Sequence, residues 1–252
     1  MASTTLYRLT RQTRFILSLY PVLFFPILHL GGKSKSLAVT QQTDIVIEGF
    51  PRSANSFAVG AFQFAQKQPV SIANHLHAAA QIVKAAQLGI PAILLIRSPV
   101  SAVLSLRSLN FQTVEKRGSY HPVLDASIKN YLMQWIRFYS RVKPFHNDYV
   151  IGVFDEVTSD FGAVVNRVNR RFSTSFELFD HTPDNVQTVH EIQGYHAGPS
   201  SRRQDLKQRA KQELEAANCE ALIAEANALY QKFVELAHQQ TLTWSQQNPQ
   251  SP

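Results

Sequence analysis

Apolar positions along the 252-residue chain fall into short β-branched or leucine-rich runs that alternate with longer stretches of helical spacing. Ile45, Val46 and Ile47 form a run suited to a strand buried on both faces. Gly49, Phe50 and Pro51 end it, since proline has no N–H and fixes its own φ. From 54 to 65 the period turns helical, with Phe57, Ala61, Phe64 and Ala65 near one face. Residues 69–73 (PVSIA) predict a second short strand, followed by Asn74, His75, Leu76 and His77. A helix over 78–88 stops at Gly89, Ile90 and Pro91, and 92–96 (AILLI) is the strongest strand pattern, delivering Arg97 at its carboxyl end. Ser98 and Pro99 open another helix, because proline suits a first helical turn.

Residues 111–123 predict a loop, and Asp125 an N-cap for a helix carrying Ile128, Tyr131, Leu132, Trp135, Phe138 and Tyr139. Pro144 ends that helix, 149–154 (YVIGVF) supplies a fourth strand, and Asp155 and Glu156 lie at its end before helical spacing over 161–172. Residues 180–201 predict a polar loop, long enough to carry function. From Arg203 onward the pattern is one long helix, packed through Leu222, Ala226, Leu229, Phe233 and Leu236. The basic residues Arg202, Arg203, Lys207, Arg209 and Lys211 of its first turns read mostly as a solvated face.

Strands alternating with helices imply an α/β fold: a P-loop-type parallel sheet of about four to five strands, helices on both faces, and a long C-terminal helix. The expected division is an N-terminal segment and linker over 1–42, the α/β domain over 43–240, and a polar tail over 241–252. Residues 15–30 (FILSLYPVLFFPILHL) form an apolar run preceded by Arg8, Arg11 and Arg14. At 1.5 Å per residue it spans roughly 24 Å, short of the ~30 Å hydrocarbon core, and Pro21 and Pro26 interrupt it. It reads first as a packed or membrane-surface segment, second as a type II anchor and third as a signal peptide. That expectation places the protein in the cytoplasm, peripheral to or anchored at a membrane, with 8–30 as the contact.

Composition adds two constraints. A net charge of +7 asks for an anionic partner, whether nucleotide, nucleic acid, membrane surface or acidic substrate. A single cysteine, Cys219, excludes an internal disulfide framework and a cysteine-based zinc cluster, and reads as inert packing.

The chemistry concentrates in residues 44–57 (DIVIEGFPRSANSF). Strand, tight loop and helix aim backbone N–H groups and a positive helix end at a phosphate. Arg52 adds a charge, and Ser53, Asn55 and Ser56 add short polar side chains. Against G-x-x-x-x-G-K-[ST] the loop has Gly49, then Ala54, Asn55 and Ser56, so the lysine that reaches a γ-phosphate is missing and ATP chemistry is disfavoured. Ligands of parallel sheets lie off the strands' carboxyl ends, which would gather the Arg52 loop, His75 and Arg97 on one rim.

Together these segments resemble the sulfotransferases that use 3′-phosphoadenosine 5′-phosphosulfate (PAPS). That family's 5′-loop runs approximately P-K-S-G-T-T-W, and here Pro51, Arg52, Ser53, Ala54, Asn55, Ser56 and Phe57 stand in that order. Its 3′-phosphate motif spaces an arginine and a serine eight residues apart, as Arg97 and Ser105 are. Its K-T-H-L-P segment is similar to Ala73, Asn74, His75, Leu76 and His77, and its Y-E-D-L to Phe154, Asp155, Glu156 and Val157. The late loop that closes on the 3′-phosphate looks replaced by 194–203 (GYHAGPSSRR), which puts Arg202 and Arg203 forward for that contact. The resemblance covers roughly residues 44–203. It departs at Arg52 for lysine, Ala54 for glycine and Asn55 for threonine; arginine keeps the charge in a planar fork.

The resemblance implies PAPS as sulfuryl donor and a hydroxyl- or amine-bearing acceptor, with neither metal nor nucleic acid expected. Arg52 would stabilise the leaving group, with Ser53, Ala54, Asn55, Ser56 and Phe57 around the 5′-phosphate and Arg97 and Ser105 on the 3′-phosphate. His75 is the expected base, with His77 as alternative on the same face if the strand continues. The acceptor stays open, a glycan or lipid among its candidates. So do two other classes: a P-loop kinase of a small molecule, and a non-catalytic membrane-associated binding protein on the same fold.

Overall fold

The computed structural model describes residues 2–30, 37–117, 126–194 and 201–246. Four parallel strands, β1 (Ile45–Gly49), β2 (Ile72–Asn74), β3 (Ala92–Ile96) and β4 (Val150–Val153), form one sheet in the order β2-β1-β3-β4. Their apolar runs are continuous because both faces are covered. Ile45, Ile47, Ile93, Leu95 and Val150 pack on one side against α3 (Asn55–Ala65), α7 (Phe154–Val157), α8 (Phe161–Phe172) and α9 (Pro183–Gln193), through Phe57, Phe62, Val157, Phe161, Val164 and Val189. Val46, Leu94, Ile96 and Ile151 pack on the other against α4 (Ala79–Leu88), α6 (Ile128–Val142) and α11 (Glu220–Gln246), through Ile82, Trp135, Tyr139 and Phe233. A third apolar cluster joins α5 (Pro99–Arg117) to α10 (Ser201–Glu215) through Val103, Leu104, Phe111, Leu206, Ala210 and Leu214. Arg107 Nε donates to Glu213 Oε2 at 2.7 Å across that join.

The chain leaves β1 towards β2 by way of α3, then returns over the sheet by α4 to place β3 on the other side of β1. The exits of β1 and β3 therefore diverge, and the crevice between them is where such sheets bind ligands. Gly49 ends β1 directly beside Leu95; a Cβ there would lie 2.4 Å from the Leu95 carbonyl oxygen, so only glycine lets the strands close at this point.

Several expectations are corrected. The second strand is Ile72–Asn74 rather than 69–73, and it stops before the histidines. The loop over 111–123 is helical as far as Arg117, since α5 packs Phe111 inside. Asp125 lies outside the described residues; the N-cap of α6 is Ser127, whose side chain accepts from the Asn130 N–H. Within the loop over 180–201, Thr182 caps an 11-residue helix, α9, with Pro183 in its first turn. The single C-terminal helix is two helices, broken between Glu215 and Glu220, where Asn218 takes a left-handed φ of 44°. Cys219 sits buried at that break, its thiol pushed up by burial.

The N-terminal segment folds as α1 (Ala2–Leu17) and α2 (Pro21–Leu30). Among the described residues no single helix is long and apolar enough to cross a membrane, and the two are bent by 120°. The linker expected over 31–42 falls partly outside the described residues. Its remainder is pinned: Ala38 and Val39 are buried, and buried Gln81 bonds the Val39 N–H and the Leu37 carbonyl.

Candidate functional site

A cavity of about 750 Å³ opens off the carboxyl ends of β1 and β3, within the size range of small-molecule sites. Its wall includes Arg52, Asn55, Ser56 and Phe57 from the first loop and helix, His75 and His77 from the second connection, and Arg97 and Ser105 from the third. Lys207 of α10 also lines it, and no carboxylate does among the described residues. Positions far apart in sequence thus meet because each follows a strand of one parallel sheet.

The two arginines are coupled. Arg97 Nη1 donates to the Arg52 carbonyl at 3.2 Å, and Arg52 Nε donates to Ser105 Oγ at 3.0 Å. The Arg97 guanidinium carbon also lies over the Phe154 ring, 3.8 Å from its centroid, a cation–π contact that helps hold the group in place. Burial lowers the Arg97 pKa, opposed by nearby Asp155 and Tyr230.

Four of the six non-glycine residues with positive φ among the described residues line this cavity: Arg52 (72°), Ala54 (70°), His75 (56°) and His77 (49°). Each costs of order 1–3 kcal/mol, and such strain gathers at ligand sites. Ala54 is the N-cap of α3 without a side-chain bond, in the conformation where glycine is expected. The first-turn N–H groups of α3, at Asn55, Ser56 and Phe57, have no carbonyl one turn back and belong to residues that line the cavity. Asn55 is buried; its Nδ2 donates to the Phe50 carbonyl, while Oδ1 has no protein partner.

His75 is held at both nitrogens, with Asn74 Oδ1 2.5 Å from Nδ1 and Ser56 Oγ 3.2 Å from Nε2. A protonated Nδ1 donating to the amide oxygen leaves Nε2 as the lone pair that accepts from Ser56. His77 Nδ1 lies 2.9 Å from the Gly49 carbonyl, which can only accept, so the proton is on Nδ1 and the lone pair on Nε2. Burial lowers both histidine pKa values, His75 further by neighbouring His77, and His77 further by Arg52 against its bond to Gly49.

Behind the histidines sits a residue that sequence reasoning missed. Glu48, fully buried in β1, accepts from Gly49 N (3.1 Å), Leu76 N (2.9 Å) and His77 N (3.0 Å). Those bonds hold the left-handed turn that presents both rings. Burial pushes the carboxyl up to about 8, against the N–H groups that pull it down. At neutral pH its 3.5 Å approach to His77 Nδ1 is therefore only weakly ionic. The signal was available: one acidic residue inside an otherwise apolar strand, IVIEG.

Ser53 is turned away: it is buried, its Oγ is 3.3 Å from the Tyr139 hydroxyl, and its N–H donates to Phe50. His77 does not share a strand face with His75, because β2 has ended. Glu156 is held by Arg167, with Nη2 donating to Oε2 at 2.7 Å, and serves the fold. Arg202 and Arg203 stand in the first turn of α10, with side chains outside the described residues; Gln204 and Lys207 of that helix reach the wall. His190 of α9 also lines it beside Phe57, its Nδ1 buried without a protein partner. Among the described residues no group of three or more His, Cys, Asp or Glu could hold a metal ion. No family model matches the chain, and no curated protein matches it in sequence.

Proposed function

We propose that the protein transfers a sulfuryl group from PAPS to a hydroxyl of an acceptor held in the same cavity. The observation that supports this most is the pair of coupled guanidiniums, Arg52 and Arg97, lining one cavity with two oriented histidines that burial keeps neutral, with no carboxylate in its wall among the described residues. An anion with two charged ends suits the arginines. A hydroxyl that must lose its proton suits the histidines.

In the reaction the bond between sulfur and the bridging phosphate oxygen breaks while a bond from the acceptor oxygen to sulfur forms. The acceptor proton passes to an imidazole Nε2, and the electron pair of the broken bond stays on the 5′-phosphate. Arg52 and the first-turn N–H groups of α3 stabilise that developing charge. His75 is the proposed base: Asn74 sets its tautomer, and its Nε2 is already aimed at a hydroxyl, that of Ser56. His77, fixed through Gly49, is the second lone pair on the same wall. Arg97, stacked over Phe154, and Ser105, bonded to Arg52, form the 3′-phosphate side.

Thermal melting with adenosine 3′,5′-bisphosphate, with ATP plus magnesium as comparison, tests this. Saturation at about 100 times the dissociation constant adds roughly 2.7 kcal/mol of stability, an easily seen shift. Stabilisation by ATP and magnesium alone would favour phosphoryl transfer and overturn the proposal. A response to neither would favour a binding protein on this fold.

A further inference from the structure

The two N-terminal helices carry an uncovered apolar face that the cavity chemistry does not use. Helix α2 (PVLFFPILHL) has no Asp, Glu, Lys or Arg. It buries Pro21 and Phe25 towards the domain. The opposite stripe, at helical spacing, leaves Val22 83%, Leu23 47%, Ile27 52% and Leu30 89% exposed, and the elbow adds Ile16 and Tyr20. A helix apolar on both sides is at home only where its outer side also leaves water.

The charge of the segment that carries this face says what covers it. No Asp or Glu precedes Asp44, whereas Arg8, Arg11, Arg14, Lys33 and Lys35 do precede it, so 1–43 carries +5 of the chain's +7. Arg14 is exposed on α1. Arg141 of α6 donates to the Leu19 carbonyl at 3.1 Å and lies over the Tyr20 ring, at the elbow itself. Exposed Arg137 stands one turn before it on the same helix. An apolar stripe bordered by cations matches acyl chains beneath anionic headgroups, a pairing that a protein surface of like charge cannot supply.

We infer that the α1–α2 elbow lies in the plane of an anionic lipid surface, with Val22, Leu23, Ile27 and Leu30 inserted and exposed Arg14 and Arg137 among the headgroups. The 120° bend opposes a straight crossing and suits an in-plane pose. The elbow is fastened to the domain, since Ser18 O accepts the Ala80 N–H at 2.9 Å in the first turn of α4, three residues after His77. The lipid surface therefore lies near the carboxyl-end rim of the sheet, whichever reaction the cavity performs.

Flotation of the full chain with vesicles tests this, using phosphatidylcholine alone and an equal mixture with phosphatidylglycerol. The chain is expected to float with the mixture, less so at high salt, and to be released by alkaline carbonate. Val22→Asp with Ile27→Asp should lower binding at least tenfold, roughly the effect of losing one large apolar group. Both positions are exposed, so the melting temperature should stay unchanged. Failure to float, flotation unaffected by the double variant, or resistance to carbonate would overturn the inference. So would sedimentation showing that this face instead closes a dimer which the double variant dissociates.

Discussion

Arg97 donates to the backbone carbonyl of Arg52 at 3.2 Å, across the crevice where the chain reverses its direction of travel through the sheet. This bond ties the loop after β1 to the end of β3. It brings two positive groups to one wall and aligns the strained Arg52 backbone, with φ at 72°.

Replacing Arg97 by alanine removes this bond, the stack on Phe154 and one of the charges. Affinity for a 3′-phosphorylated nucleotide should fall tenfold or more. Arg97→Lys should recover only part of it, since lysine keeps charge without the planar fork. Equal affinity of the lysine variant and wild type, measured by calorimetric titration, would contradict this geometry.

Glu48 gives a pH signature. Its folded pKa, about 8, lies above the ordinary value of 4.5, so its contribution to stability is fully present below about pH 4.5 and is lost as pH rises towards 8. The histidines act oppositely: their lowered pKa values cost stability only as pH falls below 6.5, where the unfolded chain takes up protons. Glu48→Gln imitates the protonated carboxyl but turns an N–H₂ towards N–H donors, at a cost of about 1–3 kcal/mol. The stability of wild type relative to this variant, from urea unfolding, should fall steadily as pH rises from 4.5 to 8 and reverse in sign on the way. A relative stability that stays constant or rises with pH would be evidence against a protonated Glu48.

His75→Asn keeps a residue tolerant of the left-handed backbone at φ 56° while removing the proposed base. Turnover should fall about 10²–10⁴-fold with the melting temperature nearly unchanged. Because burial holds both histidines neutral, the acid limb of the wild-type rate profile should lie below 6.5. Loss of activity in His77→Asn but not in His75→Asn would transfer the role to His77.

Ala54 occupies a left-handed N-cap, with φ at 70°. Relief of that backbone should outweigh the added freedom of glycine in the unfolded chain. Ala54→Gly should stabilise the protein by about 0.5–1 kcal/mol in denaturant titration. Destabilisation would mean that the methyl group packs more usefully than its backbone is strained.

The strands and the rim were legible because buried parallel strands write themselves as unbroken apolar runs, which end at Gly49 and at Ile96 just before Arg97. What lies across the chain was not. Ser53 reads as a loop hydroxyl, yet packing against Tyr139 takes it inward. Residues 183–193 are polar enough to pass for a loop, and their helix forms on the strength of the Thr182 cap and Val189 burial. Glu48 was passed over because its neighbours predict burial, and burial of a carboxylate makes sense only once the Leu76 and His77 N–H groups are seen to reach it. Lys207 reads as part of a solvated face until α10 packs on α5 and turns it towards the cavity.

A pair of titrations, adenosine 3′,5′-bisphosphate against adenosine 5′-monophosphate, on wild type and on Arg97→Ala, tests the proposed 3′-phosphate contact itself. Wild type should prefer the bisphosphate by about 10- to 100-fold, a charge-assisted contact or two. In Arg97→Ala that preference should collapse towards unity while weak monophosphate binding persists. Equal binding of the two nucleotides by wild type, or a preference undiminished in the variant, would contradict a 3′-phosphate site at Arg97 and with it the sulfuryl-transfer reading.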